Sequence, residues 1–108
     1  MKTWCIRAAC AALLVAGGAA ATAAEHVVVQ KDKAFSIKKI SVKLGDAVKF
    51  VNEDPFSHNV FSLSDAKSFD LGSYGQGGAK SITLDKPGTV EVECAVHPDM
   101  KLVIEVSK

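Results

Sequence analysis

The chain has 108 residues and a formal charge of +1, with 13 Lys+Arg against 12 Asp+Glu. That length holds one small domain and excludes a dinucleotide-binding α/β fold, a barrel enzyme or two packed domains. The balance of charge excludes a generic nucleic-acid binder, which needs a basic face to displace counterions from phosphates.

The N-terminal segment has the composition of a leader. Lys2 and Arg7 give a positive start, residues 8–16 (AACAALLVA) a short apolar run, and Ala21-Thr22-Ala23-Ala24 a small-residue end. The pattern predicts a secretory signal peptide over 1–24, cut before Glu25 to within one residue, and a mature domain over 25–108. The apolar run is too short and Ala-rich to anchor the chain, so no membrane insertion is expected after cleavage. The expected location is the periplasm. Cleavage leaves 11 lysines, 12 acids and a single cysteine, Cys94. A lone thiol in an oxidising compartment is a liability unless it is buried, paired with another chain or held by a metal.

The mature chain reads as short strands with period-two alternation between turn residues. Val27-Val28-Val29 begins the first. Ile40, Val42 and Leu44 alternate with Ser41 and Lys43 before the Gly45-Asp46 turn. Val48 and Phe50 flank Lys49, and Asn59 to Leu63 form a further apolar stretch. Residues 64–69 allow one helical turn. A Gly-rich loop (Gly72, Gly75, Gly77, Gly78) precedes Ile82 and Leu84, and Lys86-Pro87-Gly88 turns the chain again. Val90, Val92 and Cys94 then share a face opposite Thr89, Glu91 and Glu93, and Leu102, Ile104 and Val106 close the domain. This spacing predicts an all-β, antiparallel β-sandwich of seven to eight strands, with the Cys94 side chain on the core side.

Two places carry residues suited to a soft metal. His58 lies in Pro55-Phe56-Ser57-His58-Asn59-Val60, and Cys94-Ala95-Val96-His97-Pro98-Asp99-Met100 spells C-x-x-H-x-x-M. Singly, each has an ordinary reading as a surface histidine, a small buried hydrophobe or a gap-filling methionine. Together they include the only Cys and the only Met of the mature chain; His26 reads as a surface residue. Two imidazoles, a thiolate and a thioether suit mononuclear copper, whereas thioether is a poor ligand for zinc. A Cys–His nucleophile pair has no recognisable orienting acid in the sequence. Pro98 stiffens the turn that must return His97 and Met100 to one point.

These residues resemble the cupredoxins, and within them the short-loop, amicyanin-like and plastocyanin-like proteins. The likeness covers roughly residues 26–107. It is carried by His58-Asn59-Val60, the C-x-x-H-P-x-M loop, the G-D-x-V-x-F-x-N stretch from Gly45 and the K-P-G-x-V-x-V-x-C approach to Cys94. The resemblance implies a cupredoxin-like sandwich binding one copper ion through His58, Cys94, His97 and Met100. It further implies that the Asn59 backbone N–H is directed at the Cys94 sulfur, and that His97 is rimmed by a docking patch of Phe56, Val96 and Pro98. The implied task is outer-sphere transfer of single electrons, without enzymatic activity, by a monomer serving a c-type cytochrome or periplasmic dehydrogenase. The competing reading is a copper carrier or sensor. Val92, Val96 and Lys101 depart from common family residues at their positions without removing a ligand.

Overall fold

The computed structural model describes residues 23–108; the leader expected over 1–24 lies almost wholly outside that range. Among the described residues there are nine strands. They are β1 (Glu25–Lys31), β2 (Ala34–Phe35), β3 (Lys39–Lys43), β4 (Ala47–Asn52), β5 (His58–Ser64), β6 (Lys67–Tyr74), β7 (Ala79–Thr83), β8 (Gly88–Glu93) and β9 (Lys101–Ser107). One sheet has the order β3-β9-β8-β5-β6 and the other β2-β1-β4-β7. The expected β-sandwich is present, with two differences. Strand β2 is only two residues long and carries no alternation to read. Two pairings are parallel, β3 with β9 and β1 with β4, because the chain crosses between the sheets instead of folding back in a hairpin.

The expected helical turn at 64–69 is a hairpin. Ser64 pairs with Lys67 across the two residues between β5 and β6, so Asp65-Ala66 form the loop and Lys67–Phe69 are strand. The apolar Phe69 and Leu71 settle this competition, since as alternating strand positions they pack against the core. At the Lys86-Pro87-Gly88 turn, Gly88 has φ +136°, and a Cβ there would meet the Ala66 side chain at 3.0 Å.

Period two carries the inward faces. Val28, Val48, Phe50, Val60, Val90, Val92, Leu102, Ile104 and Val106 interleave between the sheets. Each such side chain contributes roughly 1.5–3 kcal/mol by leaving water. The same alternation continues past the apolar residues at one end, where the inward positions are Gln30, Asn52, His58 and Cys94, and a register shift in β6 adds Tyr74, all buried. A polar cap therefore closes one end of an apolar core, at the start of β5 and the ends of β4, β6 and β8.

Candidate metal centre

His58 opens β5, and Cys94 follows the last residue of the adjacent β8, the two strands being aligned antiparallel at Phe61 and Glu93. Both side chains point inward, with 0% and 1% of their surface exposed. His97 returns from the β8–β9 loop. There Met100 N–H donates to the His97 carbonyl at 2.9 Å, which closes a four-residue turn with Pro98 at its second position. Met100 is 1% exposed, so this turn delivers a thioether side chain into the interior beside the cluster's loop.

One donor atom from each of His58, Cys94 and His97 lies within 4.8 Å of the others. His58 Nδ1 is 3.2 Å from His97 Nδ1, and Cys94 Sγ is 3.7 Å from the former and 4.0 Å from the latter. These spacings fit a shared metal. With metal–nitrogen bonds of about 2.0 Å and a metal–sulfur bond of about 2.3 Å, a trigonal arrangement separates the nitrogens by about 3.5 Å and each nitrogen from sulfur by about 3.7 Å. Two imidazoles and one thiolate are the trigonal donor set of mononuclear copper.

The surroundings fix the donors. Asp54, 2% exposed, holds His58 Nε2 at 2.6 Å and also accepts from the backbone N–H groups of Asp32 and Lys33. Burial pushes this carboxyl up, but those hydrogen bonds outweigh it and hold Asp54 below the ordinary carboxylate range, so it is ionised. An ionised carboxylate can only accept; the His58 proton therefore sits on Nε2, and Nδ1 offers its lone pair to the cluster. Sequence reasoning found no acid orienting a histidine, and Asp54 corrects it. Asn52 in turn donates to the carbonyls of Phe56 and Tyr74 and accepts from the Asp54 N–H, which secures the loop carrying His58.

Asn59 joins the two ligand loops: its Oδ1 accepts from Ala95 N–H at 3.0 Å and lies 3.7 Å from Cys94 Sγ. Phe56 packs against both imidazoles, its ring centroid 5.4 Å from each. It is also 37% exposed, and together with the exposed Val96, Pro98 and Ala95 it makes an apolar surface around the half-buried His97. His26 is not a free surface residue: its ring meets Asp46 at 2.9 Å, at the opposite end of the sandwich.

The chain belongs to the copper-binding proteins of the plastocyanin/azurin family, whose model matches residues 22–107. It is a cupredoxin resembling amicyanin. The methylamine utilization protein MauL of Methylorubrum extorquens is 30% identical over 69 residues, covering 63% of this chain and 60% of that protein. The chloroplastic plastocyanin of Physcomitrium patens is 39% identical over 84 residues, covering 68% of this chain and 50% of its own. The chain thus spans between half and two thirds of these relatives. Among solved structures, a reduced Cu(I) form of an amicyanin variant superposes with a TM-score of 0.70 at 26% identity, covering 85% of each chain. The copper-containing nitrite reductase of Thermus scotoductus gives 0.74 at 27% identity, covering 88% of this chain but 25% of the enzyme. Copper is accordingly the metal that this family and this donor set define.

Proposed function

We propose that the domain is exported to the periplasm and shuttles single electrons between redox proteins as a monomer. His58, Cys94, His97 and Met100 would hold one copper ion. The observation that carries this reading is the convergence of the two Nδ1 atoms and Sγ at 3.2, 3.7 and 4.0 Å. Bound copper supplies a one-electron couple, Cu(I)/Cu(II).

The chain's own residues account for the rest. Three donors set on strand ends and a hydrogen-bonded turn keep one geometry in both oxidation states, which limits rearrangement when an electron moves. Phe56 and the buried positions of Cys94 and Met100 keep water away from the donors. His97 is the donor nearest the surface, and the apolar rim of Phe56, Val96 and Pro98 is of the small kind that suits brief redox encounters. A c-type cytochrome or a periplasmic dehydrogenase is the partner class.

Burial also argues against copper carriage, which needs ligands that a receiving protein can reach; Cys94 at 1% exposure and His58 at 0% are not reachable. The same burial denies substrate access to the Cys94–His58–Asp54 series, and a surface depression at Ser64, Ala66 and Thr89 lies at the other ends of β5 and β8. The test is electron self-exchange of the copper-loaded protein beside copper loss to a Cu(I) chelator. Fast exchange with slow loss supports electron transfer, whereas slow exchange with rapid loss replaces it with carriage.

A further inference from the structure

The end of the sandwich opposite the Cys94 cluster brings three polar groups onto one carboxylate. Asp46, in the turn between β3 and β4, is 6% exposed and receives Lys43 N–H on Oδ2. Ala24 N donates to its Oδ1 at 3.0 Å, and the His26 ring meets its Oδ2 at 2.9 Å. Ala24, just before β1, and His26 within it are two apart, and both face Asp46. The Ala24 carbonyl accepts from Ala47 N–H at 2.9 Å, so Ala24 is itself tied into the fold.

The two neighbouring processing points differ in which of these contacts they leave. A cut before Glu25 removes Ala24 and strips both Asp46 Oδ1 and Ala47 N–H of their partners. A cut before Ala24 follows the A-x-A triplet Ala21-Thr22-Ala23 and keeps both bonds. In that hydrolysis water adds across the Ala23–Ala24 peptide bond. Ala23 leaves with a carboxylate, and the Ala24 nitrogen, already against Asp46, becomes an α-amine. His26 is then the third residue of the mature chain.

We propose that the processed N-terminus is a second metal site, in which the Ala24 α-amine, the His26 imidazole and the Asp46 carboxylate take one Cu(II) or Ni(II) ion. Nitrogen and oxygen donors without thiolate favour these tetragonal divalent ions. The His26 hydrogen bond, with those from the Lys43 and Ala24 N–H groups, holds the Asp46 carboxyl down at about 2, so the oxygen donor is ionised. The amine gives up its proton as the metal enters. Strand β1 runs seven residues from here toward the cluster end, about 20 Å at ~3.3 Å per residue. The two sites are therefore separate. This proposal rests on the export and processing proposed above.

The test uses the full chain, expressed with its leader and purified after export. Its intact mass is expected to begin at Ala24. With one equivalent of copper already bound, further Cu(II) is expected to bind as a second equivalent, with a tetragonal paramagnetic resonance spectrum and no thiolate band. His26→Ala is expected to weaken only this second equivalent, by at least about 10-fold, and Asp46→Asn by roughly 10-fold, within the range seen when groups around a metal are removed. A mass beginning at Glu25, a single copper equivalent, or a second one unaffected by His26→Ala overturns the site. A protein beginning at Ala24 that takes one copper and exchanges electrons overturns the site alone, whereas an unprocessed, retained chain overturns the export reading with it.

Discussion

Asp54 and Cys94 address opposite edges of one imidazole: the Asp54 carboxylate lies 2.6 Å from His58 Nε2, and Cys94 Sγ lies 3.7 Å from Nδ1. The carboxylate sits in a loop only four residues before the histidine, yet it is locked from outside by the Asp32 and Lys33 N–H groups at 2.7 and 3.1 Å. The β1–β2 hairpin, remote in sequence, thereby sets the tautomer of a residue in β5.

Asp54→Asn removes the charge and keeps the shape. Copper affinity is expected to fall roughly 10- to 100-fold, as for other groups that orient metal-binding histidines. The reduction potential is expected to rise, because a negative charge that favours Cu(II) is gone. Competition titration and voltammetry read these, and nitrogen NMR of metal-free His58 reads the tautomer directly.

Asp32 and Lys33 occupy the two central positions of the β1–β2 hairpin at φ +56° and +59°, a conformation that favours Asn-Gly. Left-handed backbone costs an ordinary side chain about 1 kcal/mol. Lys33→Gly relieves that cost and keeps the N–H that Asp54 needs. Its thermal midpoint is expected to rise by about 4 °C, with an unchanged copper spectrum.

Asn59→Ala removes the acceptor for Ala95 N–H, a hydrogen bond that ties the two ligand loops together. A net loss of about 1 kcal/mol is expected. The larger effect is kinetic: copper release to a chelator is expected to quicken several-fold, read by the decay of the visible band.

Asp46 gives the pH dependence. Its folded value near 2 lies below the ordinary 3.8, so the stability it contributes is present above about 4 and is lost as pH falls from there toward 2. The wild type is expected to melt above Asp46→Asn at pH 5, and the gap is expected to narrow as pH falls from 4 to 2. A gap of the same size at pH 5 and pH 2 counts against the Asp46 contacts as its source.

The ligands were legible because their signals are local. Alternation through Val90 and Val92 aims Cys94 inward, and the spacing to His97 and Met100 is one turn of chain. Val42, Val48, Phe50 and Ile104 were legible as core for the same reason. Asp54 was not, because its partners are a histidine across a turn and two backbone groups more than 20 residues away, and Asp-Pro alone reads as a loop. His26 looked like a surface residue until the parallel pairing of β1 with β4 set it beside Asp46. Parallel pairing leaves no turn signature between the strands it joins, which is also why the antiparallel expectation missed it.

The most direct measurement is visible absorption with electron paramagnetic resonance on the exported protein, after one equivalent of Cu(II). An intense thiolate-to-copper band with a narrow copper hyperfine splitting, both abolished in Cys94→Ala, is the predicted result. A protein that takes up that copper without the band, or keeps the band in Cys94→Ala, would contradict the centre assigned to His58, Cys94, His97 and Met100.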